Sequence, residues 1–147
     1  MAIVVGVDGS AESIAAIRWA VEEGRLRKTA VRAVHVWQYP LMSTGDAFFG
    51  PGFDPLPIDP GELRELAVAG LADAVRKATD VPDAVEQEVV EGHAAEGLVE
   101  AAKDAELLVV GSRGHGGFGG LLLGSVSQAC AHHARCPVVI VRSGAAT

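Results

Sequence analysis

Short apolar runs alternating with stretches of helical period constrain this chain more than any other feature. Ile3–Val7, Val31–Trp37, Leu107–Val110 and Val138–Val141 are rich in β-branched and other apolar residues, and Ala84–Val90 reads as a further strand. Continuous apolar character is what a strand needs when helices cover both faces of its sheet. Ala11–Arg27 is predicted to be a helix with Ser10 as N-cap. It carries Ile14, Ile17, Ala20, Val21 and Gly24 on one face, with Trp19 at the edge. Asp59-Pro60-Gly61-Glu62 is a second helix start, with an N-cap Asp, Pro at the first helical position and Glu two residues on. That helix runs to about Thr79. Its expected apolar face is Leu63, Ala67, Gly70, Leu71, Ala74 and Ala78, with Asp73 and Lys77 paired on the solvent side. Ala95, Leu98, Val99 and Ala102 mark a third helix. Ser125 to about Ala134 marks a fourth, which stops before Cys136-Pro137.

The order of elements predicts a single α/β domain over residues 1–147. Right-handed crossovers make it a doubly wound, five-stranded parallel sheet with four helices. A strand order of 3-2-1-4-5 places the carboxyl ends of the first and fourth strands in one crevice, where such sheets bind ligands. Those ends carry Asp8 and Gly111. Gln38–Pro57, with four prolines, three glycines and three phenylalanines, has no helical period and reads as a long surface excursion or flap.

The fourth strand runs straight into glycine. Seven of the fourteen positions from Gly111 to Gly124 are glycine, and Ser125 follows at a helix start. Glycine lets main-chain N–H groups approach an anion, and a helix N-terminus adds unpaired N–H groups and a positive dipole end. Gly111, Gly114 and the Gly116–Gly120 region form a candidate phosphate cradle. Gly124, Ser125 and Val126 supply amides and a hydroxyl, and Arg113 is within reach of a phosphate. The spacing is neither GxGxxG nor GxxxxGK[ST], so a dinucleotide site and a Walker loop are both poorly supported. Asp8 suits either a ribose or adenine contact or an Asp-Gly turn. Val36 offers backbone groups to a base edge.

Charge bears on the partner. A net charge of −7 argues against nucleic acid. The candidate anion site would therefore rely on backbone dipoles more than on net positive charge. No apolar run approaches the length of a bilayer span. The N-terminus lacks a basic leader segment. Cys130 and Cys136 are six apart and fit neither CxxC nor a disulfide framework, so reduced thiols are expected.

At these residues the chain resembles the universal stress protein family. Val5-Gly6-Val7-Asp8-Gly9-Ser10, Ala33-Val34-His35-Val36 and Cys136-Pro137-Val138-Val139-Ile140-Val141 match its first, second and last strands. The pattern of its ATP-binding members, G-2x-G-9x-G-[ST], is met in full by Gly111, Gly114, Gly124 and Ser125. The resemblance implies a Rossmann-like, adenine nucleotide alpha hydrolase-like fold and an ATP-binding, cytoplasmic stress-response regulator with little or no catalysis. It implies that Asp8 contacts ribose or base and that Val36 holds adenine through its backbone. Gly111, Gly114, Gly124, Ser125 and Val126 would bind phosphates, and Gly6, Ser112, Arg113, His115 and Gly116 would line the path. It also implies a homodimer joined through Val138–Val141.

Catalytic signals are weaker. The five histidines form no HExxH, so a metal held by side chains is not expected, although magnesium or manganese can ride on the phosphates. Gly124-Ser125-Val126-Ser127-Gln128 has Gln where a GxSxG elbow wants Gly. No SGGxDS or HIGH string occurs. His115 is either a general acid acting on a phosphate or an exposed imidazole. A slow ATP hydrolase or phosphotransferase, and a module for another adenine nucleotide such as cAMP, stand as alternatives.

Overall fold

The computed structural model describes residues 1–38, 59–113 and 123–142. Its centre is β1 (Ile3–Gly6), a strand in which every residue is buried. A strand flanked on both edges and covered on both faces has no surface left for polar side chains, which accounts for Ile3-Val4-Val5-Gly6. β2 (Val31–Trp37) and β3 (Val85–Glu91) lie on one side of it, β4 (Leu107–Gly111) and β5 (Val138–Val141) on the other. The order is β3-β2-β1-β4-β5, and all four pairings are parallel. Among the described residues the helices are α1 (Ala11–Arg27), α2 (Pro60–Ala78), α3 (Ala94–Ala101) and α4 (Ser125–His133). The strand order and helix number match the sequence expectation, and boundaries move by a residue or so at strand ends.

Successive strand residues point to opposite faces, so one sheet serves two cores. On the first face Ile3, Val5, Ala33, Val85, Leu107 and Val109 pack against Ile17 and Ala20 of α1 and Leu71, Ala74 and Val75 of α2. On the second, Val4, Val34, Leu108 and Val110 pack against Leu98 of α3, against Ala102 at the C-cap of α3, and against Cys130 of α4. Burial raises the Cys130 thiol to about 11, which keeps it protonated and unreactive. Cys136 is half-buried, and both thiols are free.

The buried faces of α1 and α2 differ from those expected. In α1, Ser13 and Ala16 are buried with Ile17, Ala20 and Gly24, whereas Ile14 and Val21 are only half-buried. Ser13 can be buried because its hydroxyl donates to the Ser10 carbonyl at 3.0 Å. In α2 the buried stripe is Ala67, Leu71, Ala74 and Val75. It is rotated toward Val75, so Leu63 falls at its border and Gly70 in solvent. Asp59 does sit at the N-cap, but its carbonyl, rather than its carboxylate, accepts from the Glu62 and Leu63 N–H groups at 3.0 and 3.1 Å.

Two helical glycines thus have opposite surroundings. A Cβ on Gly24 would lie 2.6 Å from Val31 Cγ2 and 2.8 Å from the Thr29 carbonyl oxygen, where α1 turns into β2. A Cβ on Gly70 would meet nothing within 4 Å. Alanine favours a helix over glycine by about 0.5–1 kcal/mol. Gly70→Ala is therefore expected to raise stability by about that amount. Gly24→Ala is expected to lower it by about 1–2 kcal/mol, because overpacking against a backbone atom outweighs the propensity gain. Urea denaturation of the two variants checks both signs, and a stabilised Gly24→Ala would contradict the packing.

Candidate functional site

β1 is the point where the order of strand addition reverses. The chain leaves it through α1 on one face, and returns to its other edge through α3 on the opposite face. Beyond the carboxyl ends of β1 and β4 the helices diverge, and a cleft opens there. Its walls include Gly6, Asp8, Val36, Gly111, Arg113, Gly124, Ser125 and Val126. All eight were expected from the sequence.

The cleft begins where β1 stops. Gly9 takes a φ of 83°, a conformation that favours glycine, and the chain folds back into α1. Asp8 Oδ1 accepts from the Ser10 N–H at 2.9 Å and from the Ser10 hydroxyl at 2.5 Å. Ser10 Oγ in turn accepts from the Ser13 N–H at 3.2 Å, capping α1. Asp8 is thus a turn residue on the wall of the cleft, so the two roles considered for it share one place.

This turn leaves β2 longer than its neighbour. The last paired residues of β1 and β2 are Gly6 and Val34, and the Val7 N–H still reaches the Val34 carbonyl at 2.9 Å. On the other edge of β2, the Trp37 carbonyl accepts from the Gly92 N–H at 2.8 Å. Backbone groups alternate edges along a parallel strand. Those of Val36 therefore point toward β1, at a level where β1 has already turned away. The Val36 N–H and C=O form a donor–acceptor pair facing the cleft.

The second face of the sheet closes tightly over this end. A Cβ on Gly97 of α3 would lie 2.7 Å from Val36 Cγ2, and one on Gly6 would lie 2.6 Å from Leu98 Cδ1. Glycine at both positions lets α3 sit directly on β1 and β2. On the first face, a Cβ on Gly111 would lie 2.7 Å from Glu12 Cβ and 2.9 Å from its carbonyl carbon. Close approach of the first turn of α1 thus accounts for Gly111 in addition to any role toward a ligand.

The glycine-rich segment is tied at its base. The Ser112 carbonyl accepts from the Gly124 N–H at 2.6 Å, and the Ser112 N–H donates to Val141 at 2.8 Å. Ser127 is buried, and its hydroxyl lies 2.9 Å from the Ser112 carbonyl oxygen and 3.0 Å from that of Gly124. Ser112, expected along the ligand path, is buried beneath the cleft. The first amides of α4, those of Ser125, Val126 and Ser127, precede any residue that can close an intrahelical bond. The first such bond runs from the Gln128 N–H to the Gly124 carbonyl at 3.0 Å. Gly114, His115 and Gly116 lie outside the described residues.

Sequence reading missed Ser10, Ser13, Leu98 and Ser127 as parts of this end of the molecule. Ser127 had a signal, the second serine of Gly124-Ser125-Val126-Ser127, which places a hydroxyl one turn behind the helix cap. Among the described residues no group of three His, Cys, Asp or Glu side chains is placed to hold a metal. No helix among them is long and apolar enough to cross a membrane.

Residues 1–142 match the model of the Universal stress protein family. Universal stress protein Rv2623 of Mycobacterium tuberculosis is 36% identical over 149 residues, covering 96% of this chain and 47% of that protein. The chain thus spans about half the length of the curated relatives it matches. Universal stress protein UspA from Lactobacillus plantarum has the same fold, with a TM-score of 0.71 at 20% identity over 96% of this chain and 97% of that one. A universal stress protein solved in complex with cAMP is 26% identical, with a TM-score of 0.64 and 98% of both chains covered. The family match over residues 1–142, with relatives at 36% and 39% identity, shows that the chain belongs to the universal stress protein family.

Proposed function

We propose that this chain is an adenine-nucleotide-binding regulator that takes ATP in the cleft and need not turn it over. One observation carries the reading. The same cleft is lined by a backbone donor–acceptor pair at Val36 and by the first amides of α4, which precede any intrahelical bond. The first suits the edge of an adenine, whose amino group donates and whose ring N1 accepts. The second suits a phosphate, held by dipoles in a protein whose net charge of −7 offers little attraction of its own. The family member in complex with cAMP supports an adenine nucleotide as ligand. The preference for ATP rests on the spacing of Gly111, Gly114, Gly124 and Ser125, with magnesium or manganese carried by the phosphates. A regulator of this kind works by binding ligand differently in two conformations.

A homodimer through β5 belongs to the same proposal. β5 is the edge of the sheet, and all four of its residues are apolar and half-buried in the isolated chain. An apolar edge strand is a pairing surface. Two free cysteines suit a reducing compartment such as the cytoplasm.

Two measurements test the nucleotide reading. Protein purified without added ligand and then denatured is expected to release adenine nucleotide, seen by absorbance at the adenine band and by chromatography. If none is released, and ATP with magnesium gives no thermal shift, the proposal fails. The second measurement separates binding from folding. Ser125 is exposed at the first position of α4, so an acid there should stabilise the helix by about 0.3–1 kcal/mol through its dipole. The same acid repels a phosphate. Ser125→Asp is therefore expected to keep or raise the melting temperature while weakening ATP binding about tenfold or more by calorimetry. Unchanged affinity in this variant would place the phosphates elsewhere.

A further inference from the structure

His35 is half-buried in β2, and its Nδ1 lies 2.7 Å from the carbonyl oxygen of Val7. A carbonyl only accepts, so Nδ1 carries the proton in this bond. The acceptor it takes is significant. In a parallel ladder the Val7 N–H bonds to the Val34 carbonyl, as it does here, and the Val7 carbonyl would next receive the N–H of Val36. The pairing stops one step short of that, at Gly6 and Val34. The rung that would extend the ladder is replaced by a side-chain bond from the residue next to Val36.

We propose that His35 is a positioning residue for the base end of the cleft: by satisfying the Val7 carbonyl from the side chain, and so holding it out of ladder geometry, it keeps the Val36 N–H available to a ligand acceptor. This rests on the reading of Val36 as the adenine-facing edge. Two demands meet at Val7. Its carbonyl must be bonded, because a backbone acceptor next to the core is costly to leave unpaired. It must also not be bonded by Val36, because that donor would then be lost to the ligand. An imidazole one residue before Val36 meets both. Removing it leaves the Val36 N–H as the donor that the parallel register assigns to the Val7 carbonyl, and the ladder gains a rung at the expense of the site.

The consequence is measurable without nucleotide. Amide hydrogen exchange of the free protein, resolved at Val36, is compared in wild type, His35→Leu and His35→Asn. His35→Val, apolar and compatible with a strand, is measured alongside should the leucine variant not fold. The apolar variants are expected to slow Val36 exchange about tenfold or more, because a new ladder bond protects that amide. Asparagine, whose side-chain N–H occupies the place of Nδ1, should exchange as wild type does. Calorimetry with AMP and with 1-deaza-AMP, which lacks the ring acceptor at position 1, gives the second readout. Wild type should prefer AMP by about tenfold, the apolar variants should lose that preference, and His35→Asn should restore it. The inference is overturned if Val36 exchanges equally fast in all variants, or if the apolar variants keep the AMP preference. If wild type binds neither nucleotide, the reading of the cleft fails, and the exchange comparison still decides the role of His35.

Discussion

The early end of β1 governs the rest of this structure. Asp8, Gly9 and Ser10 turn the central strand away while β2 continues on one side and β4 on the other. The turn is built from short polar side chains: the Asp8 carboxylate holds Ser10, and Ser10 caps α1. That one set of bonds starts the first helix, ends the most buried strand and opens a gap between strands whose backbone groups would otherwise be paired. A binding cleft in such a sheet is made by ending the central strand before its neighbours.

Close packing gives this gap fixed walls. Gly6, Gly97 and Gly111 each stand where a Cβ would lie within 3.0 Å of another residue. α3 is thereby pressed onto β1 and β2 from one face, and the first turn of α1 onto β4 from the other. The base of the glycine-rich segment is tied by the Gly124 N–H and the buried Ser127 hydroxyl, both directed at the Ser112 carbonyl. These bonds tie the start of α4 to the end of β4. At Gly111 glycine serves the close approach of helix to strand.

The sequence made the fold legible because strand and helix signals alternated cleanly and three of the four described helices had a recognisable start. Eight of the expected site residues line the cleft for the same reason, since strand ends and helix starts in this topology converge. What could not be read was orientation. Helical period places Gly70 beside Ala74 and Ala67, but the direction from which the sheet approaches α2 decides that Val75 is buried and Gly70 is not. Asp59 looked like a side-chain cap, and its carboxylate makes no capping bond. Ser127 and His35 were overlooked as site elements because neither side chain carries its role in its own position. Each acts on a carbonyl far away in sequence, Ser112 for one and Val7 for the other.

The central claim is that main-chain groups at two places, the edge of β2 and the start of α4, hold one adenine nucleotide between them. A ¹⁵N-resolved titration of the intact chain with ATP and magnesium tests it most directly. The account predicts that the amide resonances of Val36, Ser125 and Val126 shift together, with one saturation curve, while those of the α2 helix stay in place. A saturable shift elsewhere that leaves the Val36 and Val126 amides unmoved would contradict it.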